Sequence, residues 1–485
     1  MNLAHSFRVN AQSRPLHPAI IDANRTILHR DLDVLVRKTA AWLASKGAQR
    51  GDVIGVGLAD NAEHLVSIYA LAALGAIVLP MDCRWTEVEQ RRVASRFHAS
   101  MVLLEPAAPW SGGIPAIRRD NAWHTGVAAV PPLATLAEGE DLPFLLSLSS
   151  GTTGEVKGPL VSQLQFQRRF WPHWINMGLN AQSRYLSATP LYFGGGRTFA
   201  MSQLYCGGTV VLFPPPYEPE DLVNEIRRRD ITAVFLVPTL IRRLLNLAVG
   251  PEVLLPSLRM LLSSGSPLHP EERRAIRERI SPAFHETYAT TEGGGVSLLT
   301  PEDQVVHGDS VGRPLFAVEI EIVDDRHQPL PPGETGILRY RSPGCATGFH
   351  GDAAATAEMF RDGWFYPGDL GAMDAEGYLF LKGRRKDLII RGGVNIYPGE
   401  IEQVLLAHER VVEAAVIGRP AGSMGEEIVA FVTLASPLDS SDLVAWCRTR
   451  LAPYKIPRAI IAIEDMPKNS AGKILKAELA RRLPG

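Results

Sequence analysis

Twice in this chain an amphipathic helical pattern stops at a turn and runs straight into a short apolar stretch. At 31–58, DLDVLVRKTAAWLASKGAQRGDVIGVGL, the turn is marked by Gly47 and the stretch is β-branched. At 218–245 a charged helical pattern leads into the apolar run 231–237, which Pro238 ends. Repeated helix–strand alternation predicts parallel strands layered with helices. The segment 65–81, LVSIYALAALGAIVLPM, is apolar nearly throughout. It is short for a membrane span and is broken by Gly75 and Pro80, so it predicts a buried helix followed by a strand. From about Val311 the texture changes: VEIEIVDD alternates apolar and polar residues, the mark of antiparallel strands. Another change comes near Gly383, after which helix, strand, strand and helix patterns follow at 399–408, 411–420, 427–435 and 441–452.

A chain of 485 residues is too long for one ordinary core. The fold class expected is α/β: a large N-terminal domain, 1–385, of layered α/β subdomains plus a β subdomain, then a small mobile α+β domain, 386–485. A net charge of -2 gives no footprint for nucleic acid or an anionic membrane. The four cysteines, Cys83, Cys206, Cys345 and Cys447, lie far apart with no CxxC, which argues against a zinc knuckle or redox pair. Reduced thiols and a start without an apolar signal core predict a cytoplasmic protein.

Chemistry concentrates at 146–160, LSLSSGTTGEVKGPL, where Ser147, Ser149, Ser150, Thr152 and Thr153 surround three glycines and Lys157. Glycines let backbone N–H groups point inward, hydroxyls add donors and the lysine adds charge, which together suit phosphate. It is not a Walker A loop, because Gly158 and Pro159 follow the lysine. A second motif, GDSVG at 308–312, matches the GxSxG nucleophile elbow. Pro314 and a strand pattern follow it where an elbow needs a helix, so a hydrolase is not expected.

SSGTTGEVKG at 149–158 resembles the phosphate loop of the acyl-adenylate-forming enzymes, which include acyl-CoA synthetases, peptide-synthetase adenylation domains and firefly luciferase. YATTEGG at 288–294, GWFYPGDLG at 363–371, GRRKDLIIRGGVNIYPGEIE at 383–402 and PKNSAGKILK at 467–476 resemble that family's remaining motifs, in its order. The resemblance covers the chain from about residue 10 onward. It implies ATP, Mg²⁺ and coenzyme A as cofactors and co-substrates, with a small carboxylic acid as substrate. It implies that Ser149, Ser150, Thr152, Thr153 and Lys157 hold the phosphates, Thr291 bonds the α-phosphate and Glu292 holds Mg²⁺. Ser264, Gly265 and Ser266 would form the adenine wall, with Tyr288 stacked on the purine and Glu286 accepting from its amino group. Asp369 and Arg384 would hold the ribose. Lys473 would bridge carboxylate and α-phosphate during adenylation, and rotation at the hinge Lys386 would then exchange it for the 391–398 face, where a thiol enters.

Val156, Ala289 and Pro367 replace the family's usual Pro, Gly and Thr, while the liganding side chains remain. PLYFGGGRTFA at 190–200 carries Phe193 where many acyl-CoA synthetases have histidine. Gly194 and Gly195 would leave room for the acyl group and Phe193 would wall it. Arg197 either meets a second acidic group or faces outward. Trp171 and Trp174 flank the pocket or pack in the core. An aromatic or medium-length acid is expected. Transfer to a carrier-protein pantetheine, a catalytically silent nucleotide-binding relative, and a homodimer stay open.

Overall fold

The computed structural model describes every residue except 1, 24, 140, 151–155, 249, 392–393, 422–424, 469–473 and 484–485, and it leaves the side chains of Ser149 and Ser150 undescribed. Two sheets carry the N-terminal part. The larger has nine strands, and its central run, Phe284–Thr290, Met260–Ser263, Ala233–Leu236, Arg184–Ser187, Thr209–Leu212 and Pro18–Asp22, is parallel throughout. The smaller has six strands, of which Pro143–Leu146, Ile77–Pro80, Val53–Gly57, Met101–Leu104 and Ala116–Arg118 are parallel and Leu160–Ser162 closes one edge antiparallel.

The apolar 65–81 segment becomes the helix Ala62–Leu74 and the strand Ile77–Pro80. Twelve of the helix's thirteen residues are buried, because it packs against strands of both sheets and against the helix His29–Ser45. An apolar face all round is what a helix enclosed on every side requires. Asn61 caps its first turn by accepting from the His64 N–H at 3.0 Å, and Gly75 ends it at φ 71°. The strand expected at 231–237 is Ala233–Leu236, and Pro238 opens the helix Pro238–Leu247 at its first position, where a missing N–H is harmless.

The alternating segment after 311 forms the expected antiparallel sheet, with Glu319–Val323 paired to Gly336–Arg341 and onward to Asp369–Met373 and Leu379–Arg384. Beyond it, Val411–Pro420, Glu426–Leu434 and Ala459–Ala462 form a three-stranded sheet with the helices Pro398–Leu406 and Ser440–Arg448. These elements share a core of their own, including Ile401, Leu405, Val416, Ile428 and Leu443. At 308–312 no elbow forms: Ser310 is fully buried, donates to the His307 carbonyl at 2.9 Å, and is followed by the strand Arg313–Pro314. No helix among the described residues is long and apolar enough to cross a membrane.

Candidate active site

Parallel strands place their C-terminal ends on one edge of a sheet, and in α/β proteins ligands bind outside that edge. Here it carries the 188–193 loop, the 264–269 loop and the turn at 291–293, which follow the strands Arg184–Ser187, Met260–Ser263 and Phe284–Thr290. Ser264 and Ser266 are half-buried and Gly265 is exposed in the second of these. Pairing of Ser263 with Glu286 sets that loop beside the Tyr288 strand.

Tyr288, Asp369 and Arg384 come together across three elements. Asp369 and Arg384 are direct partners in an antiparallel pair, and the Arg384 Nε forms an ion pair with the Asp369 carboxylate at 2.8 Å. Arg384 also donates to the Pro367 carbonyl at 2.6 Å. The Tyr288 hydroxyl donates to the other Asp369 oxygen. Burial, and then the charge of Asp369, hold the Tyr288 phenol well above its ordinary pKa, so it stays a donor at any working pH. Asp369 is buried and Arg384 half-buried.

Glu286 corrects the expectation drawn for it. Its carboxylate is engaged by Arg273, Nε to oxygen at 2.6 Å, with both side chains under 10% exposed. Arg273 in turn donates to the carbonyls of Gly308, at 2.5 Å, and Ser310, at 2.9 Å. Burial keeps the Glu286 carboxyl above the usual range even though Arg273 pulls it down. The pair joins the helix Pro270–Arg279 to the sheet, so this carboxylate has a structural partner that the sequence reading did not foresee.

On either side of 151–155, Ser149 pairs with Lys157 and Ser150 with Val156 in an antiparallel hairpin. Thr152 and Thr153 lie outside the described residues. Lys157 places its Nζ 5.1 Å over the Phe349 ring and 3.9 Å from the Met359 sulfur. The hairpin base is bonded to the same segment: the His350 N–H donates to the Gly158 carbonyl at 2.8 Å, and the Leu160 N–H to that of Gly348 at 3.2 Å. That segment also reaches the turn of Thr291 and Glu292, because the Ala346 N–H donates to the Glu292 carbonyl at 2.9 Å. Glu292 is buried and Thr291 half-buried. Among the described residues no group of three or more His, Cys, Asp or Glu side chains converges on a metal site. One buried carboxylate, that of Glu292, fits Mg²⁺, which takes one or two carboxylates and completes its shell with phosphate oxygens and water.

Sequence reasoning overlooked Arg169. Its guanidinium lies beneath the 291–293 turn and donates from each of its three nitrogens to a carbonyl, Gly344 at 2.8 Å, Thr291 at 3.2 Å and Glu292 at 2.6 Å. The available signal was its place in a buried helical stripe with Gln163, Phe166, Phe170 and His173, where an arginine demands partners.

Arg197 overturns one of its two expectations. It is 1% exposed, so it does not face outward, and its Nη1 donates to the carbonyls of Leu191, at 3.1 Å, and Tyr192, at 2.9 Å. Burial and then the charge of Arg169 bring its pKa down to about 9. The glycines leave less room than expected. A Cβ on Gly195 would lie 2.7 Å from the Phe235 ring, and one on Gly196 would lie 2.4 Å from the carbonyls of Thr189 and Pro190. Gly194 alone of the three faces open space, beside the half-buried Phe193. Trp174 stacks on Tyr205 with centroids 5.7 Å apart, and Trp171 meets Phe316 edge-on at 6.1 Å. Lys386 is exposed on the 3-10 turn Arg385–Asp387, directly after the strand that carries Arg384. Lys473 lies outside the described residues.

Known proteins resemble this chain over nearly its whole length. The chain is 33% identical over 486 residues to a 2-succinylbenzoate–CoA ligase of Geobacillus kaustophilus (strain HTA426), a match covering 97% of this chain and 96% of that protein. It is 31% identical over 485 residues to a feruloyl-CoA synthase of Amycolatopsis sp, covering 97% of each. Its fold superimposes with a TM-score of 0.88 and 28% identity on the o-succinylbenzoate CoA synthetase of Bacillus subtilis solved with its acyl-adenylate intermediate, covering 98% of this chain and 97% of that one. Matched over residues 7–350 by the AMP-binding enzyme family and over 400–473 by the AMP-binding enzyme C-terminal domain, the chain belongs to the AMP-binding enzymes.

Proposed function

We infer that this chain is an AMP-forming acid:CoA ligase. A carboxylate oxygen bonds to the α-phosphorus of ATP while the bond to the bridging oxygen breaks and pyrophosphate leaves. The coenzyme A sulfur then bonds to the acyl carbon, and the acyl–phosphate bond breaks to release AMP. The observation that carries the reading is the joining of Tyr288, Asp369 and Arg384 on the edge where the Glu292 turn and the Lys157 hairpin are tied to one segment. That arrangement offers a ribose acceptor, a cation ligand and a phosphate cation on a common support. The relatives' names point the same way: a 2-succinylbenzoate–CoA ligase and a feruloyl-CoA synthase.

In this reading Asp369 accepts the ribose hydroxyls, with Arg384 and Tyr288 fixing its orientation. The 264–266 loop borders the adenine. Lys157, with Ser149, Ser150, Thr152 and Thr153, holds the β- and γ-phosphates, and Thr291 bonds the α-phosphate. Glu292 holds Mg²⁺, which would draw charge from the phosphates as pyrophosphate departs. Lys473 arrives from the domain beyond residue 385 and screens two anions that must meet; Lys386 is the pivot. Free coenzyme A is the thiol acceptor and the cytoplasm the compartment, the latter supported by four free thiols. The half-buried Phe193 offers a ring wall next to the open position at Gly194, which favours an acid bearing an aromatic ring.

The test is carboxylate-dependent ATP–pyrophosphate exchange with a panel of aromatic, aliphatic and dicarboxylic acids, followed by thioester formation with coenzyme A or a holo carrier protein. Exchange with an aromatic acid and a CoA thioester are expected. No exchange with any acid would refute the ligase reading, and acylation of the carrier alone would refute the acceptor.

A further inference from the structure

Among the described residues, the hydrogen bonds of the Arg169 guanidinium all go to backbone carbonyls, and those carbonyls belong to two separate loops. Burying a cation this way costs several kcal/mol unless each donor finds an acceptor, and the surroundings are shaped around it. A Cβ on Gly344 would lie 2.7 Å from the Arg169 Cγ, so the loop at 344 closes over the arginine only as glycine. Arg169 follows the helix Gln163–Arg168, which starts directly after the strand Leu160–Ser162 downstream of the phosphate hairpin. The Thr290 hydroxyl and the Tyr340 hydroxyl are bonded at 2.5 Å, and the Gly293 N–H donates to that same Thr290 oxygen at 3.0 Å, so the turn is held from its outer side as well.

We propose that Arg169 is a positioning residue for adenylation: its guanidinium locks the turn that carries Thr291 and Glu292 to the 344–350 segment, and so fixes the cation-binding carboxylate relative to the phosphate hairpin bonded to the other end of that segment. Arg169 touches neither nucleotide nor acid. It acts through Glu292, whose carbonyl it shares with the Ala346 N–H. The inference rests on the ligase reading, in which Glu292 meets Mg²⁺ and phosphate.

Two physical effects of removing Arg169 have opposite signs, which makes the proposal testable. Loss of the three bonds frees the turn and weakens cation binding; partners that orient a metal ligand are typically worth about 10–100-fold in affinity or activity. Loss of the positive charge instead strengthens cation binding by removing a repulsion. Arg169→Met removes both donors and charge, Arg169→Gln keeps two N–H donors without charge, and Arg169→Lys keeps charge and donors.

ATP–pyrophosphate exchange is measured against Mg²⁺ concentration for the wild type and all three variants, with the acid that serves the wild type best, and AMP binding is measured by calorimetry. For Arg169→Met the expected result is a half-saturating Mg²⁺ about tenfold higher and a kcat about 10–100-fold lower, with AMP affinity within about twofold of wild type. Arg169→Gln should fall between, and Arg169→Lys should recover most of the loss. If Arg169→Met does not fold, the Gln and Lys variants are read by the same measurements. A half-saturating Mg²⁺ that is unchanged or lower, or parallel loss of AMP binding and exchange in the variants, overturns the proposal. Absence of exchange by the wild type with every acid overturns the ligase reading and the proposal with it.

Discussion

Replacing Asp369 by Asn tests the centre of the nucleotide site with almost no change of shape. The carboxylate receives Arg384 on one oxygen, at 2.8 Å, and the Tyr288 hydroxyl on the other. In the proposed complex both oxygens also take ribose hydroxyls. Hydrogen bonds to a charged acceptor contribute roughly 1.5–3 kcal/mol and those to a neutral one roughly 0.5–1.5, so the loss is about 1 kcal/mol per hydroxyl and about 2 kcal/mol for the pair. That corresponds to about 30-fold in the KM for ATP. The fold should survive, because the Arg384 side chain is 37% exposed and its ion pair contributes no more than about 1 kcal/mol. The assay is ATP–pyrophosphate exchange with ATP and with 2′-deoxy-ATP. Wild type should discriminate strongly against the deoxy nucleotide and Asp369→Asn weakly. Equal discrimination by both proteins, or a lost kcat at unchanged KM, would show that Asp369 does not hold the ribose.

Three further outcomes are expected. Lys473→Ala should lower adenylate formation by about 10²–10³ while sparing thioester formation from supplied acyl-adenylate, and equal loss of both half-reactions would remove its assigned role. Lys386→Pro, by fixing φ at the pivot, should leave pyrophosphate exchange intact and slow single-turnover thioester release; unchanged release would place the pivot elsewhere. Arg273→Met should lower stability by about 3–5 kcal/mol, read from urea unfolding, because it strands the buried Glu286 carboxylate. Glu286 already titrates above the usual range, and without Arg273 it climbs further. A raised folded-state pKa contributes stability at low pH and loses it as pH rises through that pKa, so the deficit against wild type should shrink on going from pH 8 to pH 5. A deficit that grows with acid would contradict the assignment.

What could be read from the sequence and what could not differ in kind. The helix Ala62–Leu74 was legible because its apolar run leaves no polar face for solvent, and Tyr288, Asp369 and Arg384 were legible because each sits in a motif of fixed composition. Their meeting was implied by resemblance, and its geometry follows from strand pairing that places Asp369 opposite Arg384. Glu286 was misread because its partner Arg273 is on a helix thirteen residues earlier, one of several arginines there, and only packing selects it. The burial of Arg197 was not legible because its acceptors are mostly backbone carbonyls. Arg169 escaped notice for the same reason. A side chain that bonds to carbonyls leaves no trace in the sequence, since every residue supplies one. The motifs therefore mark the groups proposed to meet the nucleotide, whereas the framework holding them in register, the 344–350 segment and the arginine beneath the 291–293 turn, is written in backbone contacts. A variant with every motif intact and Arg169 lost should for that reason behave as a ligase with a misplaced cation site.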